Sequence, residues 1–223
     1  MEESPFPAVI FDCDGVLIDS ERLGLRSLQL ALKEAGVERS LDSLTCFSGR
    51  SHSETLAELE MECGRPLQAS GVADRMDEWY MKLATAEGLR PCRGVRHLLS
   101  WLSIRRIPFT LASSGPRRKV LFSLRNAGLE LCFSRFICGE DAARSKPAPD
   151  IYLAAAGLIG IDAAKCVAVE DAPNGIKSAR AAGMRVVAVT STFAAGALAE
   201  ADIIVESLLH LPRYLKGLRS LAK

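Results

Sequence analysis

Short, uninterrupted apolar runs recur along this chain, and nearly every one stops abruptly at polar or acidic residues. Ala8-Val9-Ile10-Phe11 runs into Asp12-Cys13-Asp14-Gly15-Val16, and Ile107-Pro108-Phe109-Thr110-Leu111-Ala112 into Ser113-Ser114-Gly115. Arg135-Phe136-Ile137-Cys138 precedes Gly139-Glu140-Asp141, and Cys166-Val167-Ala168-Val169 ends in Glu170-Asp171. Val186-Val187-Ala188-Val189 leads to Thr190-Ser191, and Ile203-Ile204-Val205 is a short last run. A run without polar alternation reads as a strand buried on both faces. Helical patterns lie between the runs, for example over 119–124 and 151–156. Strands alternating with helices predict an α/β fold built on a doubly wound parallel sheet.

The segment from Ser20 to Gly88 breaks this rhythm. Leu25, Leu28, Leu32, Leu56, Leu59, Met76, Trp79 and Met81 fall at helical spacing, with no convincing strand among them. The expectation is a small α-helical domain over 20–88, inserted into a sheet domain made of 1–19 and 89–223. The stems Leu17-Ile18-Asp19-Ser20 and Gly88-Leu89-Arg90-Pro91 would be its hinges. The apolar stripes of the insert read as its own core.

Composition narrows the function. With 223 residues the chain can bury a real core, and a net charge of +1 favours neither nucleic acid nor an anionic membrane as partner. Seven cysteines, an odd number without CxxC spacing, read as buried thiols in a reducing cytoplasm. The acidic opening Met1-Glu2-Glu3-Ser4-Pro5 lacks the order of a signal peptide, and no apolar stretch is long enough to span a bilayer. A cytoplasmic, soluble protein is expected.

Open α/β sheets hold ligands beyond the carboxyl ends of their strands, and four such ends here carry groups suited to one reaction. Asp12 and Asp14 can ligate a hard cation, attack an electrophile or exchange a proton. Two apart on an extended strand they would share a face, so dividing these tasks requires a bend at Gly15. Cys13 between them has no histidine nearby in the sequence to activate it. Ser113-Ser114-Gly115-Pro116 precedes a helix, where free backbone N–H groups bind anions and serine hydroxyls add donors. Lys146 stands on a turn stiffened by Pro147 and Pro149, and an ammonium there would offset the repulsion between a carboxylate nucleophile and a phosphate. Glu170-Asp171 sets adjacent acids after a strand, which a cation such as Mg²⁺ would stabilise. Singly, these features fit an ordinary turn, an N-cap or a solvated lysine equally well. In this order, at successive strand ends, they form one site.

On these residues the chain resembles the haloacid dehalogenase superfamily, specifically its phosphatases and phosphomutases with a helical cap after the first strand. The resemblance runs from Val9 to Val205. It implies Asp12 as the nucleophile forming an aspartyl-phosphate, Asp14 as general acid/base, and Ser113 and Lys146 as the residues holding the phosphoryl group. It implies Mg²⁺ on Asp12, the Asp14 carbonyl and Asp171, with Glu170 assisting, and a substrate site including Ser114, Gly115, Arg50 and Glu21. The dehalogenases that name the superfamily lack the second acid and the metal site, so Asp14 and Glu170-Asp171 speak against that activity. His52, Gly115 and Pro116 stand where the mutase members carry an arginine, a serine and a lysine. The Ser-Gly-Pro turn resembles instead that of phosphatases acting on sugar-acid phosphates such as 6-phosphogluconate. Arg50 would then reach an anionic or hydroxylated tail, or else make a capping contact at the surface of the insert. The resemblance implies a Mg²⁺-dependent phosphatase of small sugar or polyol phosphates. A phosphomutase and a catalytically silent binding protein are the alternatives. The expected partner is a small phosphorylated metabolite, without nucleic acid or membrane, and the chain is expected as a monomer or weak dimer.

Overall fold

A computed structural model describes residues 7–219; the segment Met1-Glu2-Glu3-Ser4-Pro5 and residues 220–223 lie outside the described residues. In chain order the strands are β1 (Ala8–Phe11), β2 (Ile18–Asp19), β3 (Arg90–Pro91), β4 (Phe109–Leu111), β5 (Cys166–Glu170), β6 (Arg185–Val189) and β7 (Ile203–Val205). The helices are α1 (Glu21–Glu34), α2 (Leu41–Leu44), α3 (His52–Cys63), α4 (Val72–Glu87), α5 (Val95–Ile104), α6 (Arg117–Asn126), α7 (Asp150–Ile159), α8 (Pro173–Ala181) and α9 (Leu211–Arg219). Five strands form one parallel sheet in the order β4-β1-β5-β6-β7. The chain passes from one side of β1 to the other between β4 and β5, and such a switch point opens a crevice at the strand ends.

The apolar runs lack alternation because both faces of the sheet are covered. Val9, Phe11, Val167, Val169, Val187 and Val189 pack with α5, α6 and α9 on one side. Ala8, Ile10, Cys166, Ala168, Val186 and Ala188 pack with α7 and α8 on the other. A strand in this setting places each successive side chain in a core, so a polar substitution at any of these positions buries an unpaired group.

One expected strand is absent. Of 135–138, only Ile137 pairs with the sheet, through a single bridge to Ala112. Its N–H donates to the Leu111 carbonyl and its carbonyl accepts from Ser113 N, while the chain on either side turns away. Apolar content alone does not make a strand when only one residue finds a ladder partner. The cysteines also differ from expectation: all seven are free, but Cys46 and Cys132 are exposed, and only Cys13, Cys138 and Cys166 are buried.

Helices α1–α4 build a separate apolar cluster from Leu28, Ala31, Leu32, Leu44, Phe47, Leu56, Leu59, Val72 and Met76. The far end of α4 is different. Tyr80 and Ala84, with Met81 against them, pack into the sheet-side core rather than among the helices. The two stems pair with each other as a short antiparallel ladder, Ile18 opposite Pro91 and Asp19 opposite Arg90. Among the described residues no helix is long and apolar enough to cross a membrane.

Candidate active site

Strand β1 ends at Phe11, and Asp12 stands at its tip with its backbone N–H bonded to the Val169 carbonyl of β5. Gly15 turns the chain with φ of 75°, a left-handed value that costs glycine little. The bend separates the acids as the sequence requires: Asp12 faces Lys146, and Asp14 faces α6 and the helical layer. Gly15 is also required by space. A Cβ there would lie 1.9 Å from Asp171 Oδ2.

Lys146 reaches the site from the loop before α7, and its peptide bond to Pro147 is cis. Its ammonium donates to Asp12 Oδ1 and Glu170 Oε1, both at 2.6 Å, and to the Ala112 carbonyl at 3.3 Å. The lysine is 8% exposed and Glu170 1%, so this is a buried cation between two buried anions. Burial disfavours its charge, but Asp12 and Glu170 outweigh that and hold the ammonium protonated well above the usual lysine range. Breaking one partner from such a group leaves an uncompensated charge and costs about 3–5 kcal/mol.

The carboxylates respond in opposite directions. Burial pushes Asp12 up to about 7, against the attraction of Lys146. Burial likewise raises Asp171 well above the carboxylate range, reinforced by Asp12 and Glu170. Asp14 is only half-buried, and against the desolvation that remains Lys119 and the Ser20 hydroxyl together lower its value below the usual one. Asp12, Glu170 and Asp171 offer oxygen atoms within 4.8 Å of one another. Three carboxylates this close together are hard oxygen donors whose mutual repulsion a divalent cation would offset. Thr192 donates to Asp171 Oδ2 from the loop after β6.

Ser113 follows β4 and is 2% exposed; its Oγ accepts the Gly115 N–H at 3.1 Å, which leaves the hydroxyl proton to donate. Ser114 and Gly115 line the same cleft. Pro116 is the N-cap of α6, one position before the first turn. The Arg117 N–H is already engaged, donating to both Glu140 carboxylate oxygens at 3.0 Å, so the expected anion cradle is partly filled by an acid. Cys13 is buried, and burial with Asp14 and Asp12 raises its thiol well above the ordinary value, which suits an inert side chain.

The cleft holds about 480 Å³ between the sheet ends and helices α1, α3 and α4. Glu21 and Arg50 both line it. The Arg50 guanidinium is bound to Glu58 and lies 5.4 Å from the Phe47 ring centroid, so its charge already has a partner. His52, the first residue of α3, faces the cleft too, and burial pushes it down to about 4.

Sequence reasoning missed several contributors. Lys119 on α6 donates to Asp14 Oδ2 at 3.3 Å and packs 4.6 Å from the Tyr80 ring. Tyr152 donates to Glu170 Oε1 at 2.6 Å from inside α7. Nothing in their local sequence separates them from an ordinary helix-surface lysine and a core aromatic. Only the meeting of α6 and α7 with the strand ends gives them a target.

Comparison with known proteins agrees with this architecture. The model of the haloacid dehalogenase-like hydrolases matches residues 9–189. Protein SUPPRESSOR OF QUENCHING 1, chloroplastic, of Arabidopsis thaliana is 35% identical over 197 residues, which are 87% of this chain and 19% of that protein. The chain therefore spans about a fifth of that relative. Validoxylamine A 7'-phosphate phosphatase of Streptomyces hygroscopicus subsp. limoneus is 30% identical over 209 residues, 91% of this chain and 94% of its own. The crystal structure of a hydrolase from Pseudomonas syringae superposes with a TM-score of 0.85 at 25% identity, covering 95% of this chain and 99% of the other. With its family match over most of its length, a five-stranded parallel sheet and acids at the strand ends, the chain belongs to the haloacid dehalogenase-like hydrolases.

Proposed function

We propose that this protein is a Mg²⁺-dependent phosphatase that hydrolyses small sugar or polyol phosphate monoesters through an aspartyl-phosphate. The observation that carries the reading is the buried pair at 2.6 Å between Lys146 and Asp12, with Asp14 and Ser113 on the same cleft. The similarity to the validoxylamine A 7'-phosphate phosphatase supports a small phosphate ester as the substrate.

In this reading Asp12 attacks phosphorus while the bond to the leaving oxygen breaks, and that oxygen takes the proton of the Asp14 carboxyl. Lys119 and Ser20 favour the ionised carboxylate in the free protein, so this proton is one that Asp14 takes up from solvent as the substrate binds. The products are the aspartyl-phosphate, the free alcohol and an Asp14 carboxylate. Water then attacks phosphorus and gives its proton to Asp14, and the bond to Asp12 breaks, releasing phosphate and restoring both side chains. Lys146 and Ser113 supply donors to the phosphoryl oxygens. Mg²⁺, when held by Asp12, the Asp14 carbonyl, Glu170 and Asp171, would neutralise charge on the phosphoryl group. The division of labour follows residues 20–88 as a cap and 1–19 with 89–223 as the core, supported by the separate apolar cluster of α1–α4. Transfer to a sugar hydroxyl instead of water would need a firm site for a second phosphate. His52, Gly115 and Pro116 offer at that place a neutral imidazole, no side chain, and no donor.

The test is a panel of phosphorylated metabolites incubated with protein and Mg²⁺ and scored for free phosphate. Release from sugar or polyol monophosphates is expected. Isomerisation of β-glucose 1-phosphate without phosphate release would overturn the reading in favour of the mutase.

A further inference from the structure

The charges lining the cleft are not evenly matched. Three cations face it, Lys146, Lys119 and Arg50, and each already has an acidic partner: Asp12 with Glu170, Asp14, and Glu58. The acids on the helical side are in the opposite position. Glu21, Asp74 and Asp77 line the cleft, and none forms an ion pair with a lysine or arginine among the described residues. Asp77 goes further. Its Oδ1 is buried and accepts no hydrogen bond, and His52 Nδ1 stands 4.0 Å away, beyond hydrogen-bond distance. Burial raises the Asp77 carboxyl above its usual value, as expected where a carboxylate lacks donors.

An acceptor left without a donor in a site wall is completed by a ligand that brings one. A hydroxyl or an ammonium can do so. A carboxylate or a second phosphate dianion cannot, and it would meet three acids with no lysine or arginine among the described residues in ion-pair contact with them. Lys119 and Arg118 act on Asp77 only at longer range. The wall is mixed rather than wholly polar, since Leu25, Leu28, Phe47 and Met76 lie beside these groups. Such a surface suits the carbon face and the hydroxyl face of a polyhydroxylated chain or ring.

Resting on the phosphatase reading above, we propose that Asp77, with Glu21, selects monophosphates whose leaving group is uncharged or cationic and rich in hydroxyls, and rejects those carrying a second anion. This departs from the sugar-acid phosphate that the Ser-Gly-Pro turn suggests, because Arg50, the residue expected to meet the acid, is already held by Glu58.

The experiment compares sorbitol 6-phosphate with 6-phosphogluconate, two six-carbon open-chain esters that differ at the end far from phosphorus, with p-nitrophenyl phosphate as a reference. The wild-type protein is expected to favour sorbitol 6-phosphate at least tenfold in kcat/KM. Asp77→Asn, of nearly the same volume, is expected to shrink that ratio at least threefold by raising KM for the polyol and lowering it for the acid. Glu21→Gln provides the same readout if a melting curve shows Asp77→Asn unfolded. Equal or inverted preference in the wild type, or an unchanged ratio in the folded variant, overturns the selection proposal while leaving the phosphatase reading standing. No phosphate from any of the three esters would instead overturn the phosphatase reading, and the selection proposal with it.

Discussion

Tyr152 and Lys146 bind the same oxygen of Glu170: the phenol hydroxyl and the ammonium each stand 2.6 Å from Oε1. Lys146 is also 2.6 Å from Asp12, so the tyrosine ends a buried chain of contacts that leads to the proposed nucleophile. Tyr152→Phe keeps the ring, whose centroid is 4.9 Å from the ammonium, and removes only the hydroxyl. We expect a stability loss of about 1 kcal/mol and a larger effect on kcat, about tenfold, with KM little changed. Steady-state kinetics beside a denaturant titration will separate the two, and an unchanged kcat would mean that Tyr152 is core packing alone.

Asp12→Asn should leave the fold intact and abolish phosphate release, because an amide does not attack phosphorus. Circular dichroism checks the fold, and a phosphate assay checks the loss. Substantial residual turnover would remove Asp12 from the role of nucleophile.

Chelation with EDTA should silence the protein and Mg²⁺ should restore it, with Ca²⁺ a poor substitute. Ca²⁺ takes more ligands at longer distances, and would misplace the oxygen of Asp12. Asp171→Ala should weaken Mg²⁺ activation far more than Cys13→Ala, because the acid belongs to the oxygen cluster and the thiol does not. Full activity after exhaustive chelation would refute the metal assignment.

Gly175→Ala inverts a familiar rule. Alanine in a helix is normally better than glycine by about 1 kcal/mol. Inside α8, however, a Cβ at this position would lie 1.9 Å from Glu170 Oε1, the oxygen that Lys146 and Tyr152 share. The variant should therefore be less stable and much less active, and a higher melting temperature would contradict this account of the helix.

His52 gives the protein a stability that depends on acid. Its folded value of about 4 lies below the ordinary 6.5, principally because of burial. Between these limits the unfolded chain takes up a proton that the folded form refuses. Stability from this group is thus complete above pH 6.5 and is lost as the pH falls towards 4, by on the order of 3 kcal/mol. His52→Asn should flatten the melting temperature across this interval, and an unchanged slope would show that the imidazole is not the group responsible.

The legible part of this protein is the part in which neighbours in sequence do the work. Val9, Ile10 and Phe11 announce a buried strand because both of their faces are covered. Asp12, Ser113, Lys146 and Asp171 can be read as a site because each follows a strand or stands on a stiff turn. What stayed hidden depends on long-range meetings. Lys119 looks like any helix lysine until α6 sets it against Asp14, 105 residues away. Arg50 looks free to greet an anion until the fold of α3 brings Glu58 beneath it. The run at 135–138 looks like a strand because apolar content is local, whereas the ladder partner that it lacks is not.

The paired stems have a consequence for how such a protein can change. Ile18 faces Pro91 and Asp19 faces Arg90, so the chain leaves the sheet region and returns to it at one point. A residue gained or lost in the turns between α1 and α4 is absorbed beyond the ladder and leaves the register of β1 against β4 and β5 untouched, whereas the far end of α4 is fixed by its packing on the sheet-side core. In the proposed reading, the part of the molecule set against the leaving group can therefore drift in length and composition while the part set against phosphorus stays fixed. One reaction can in this way be fitted to many different alcohols.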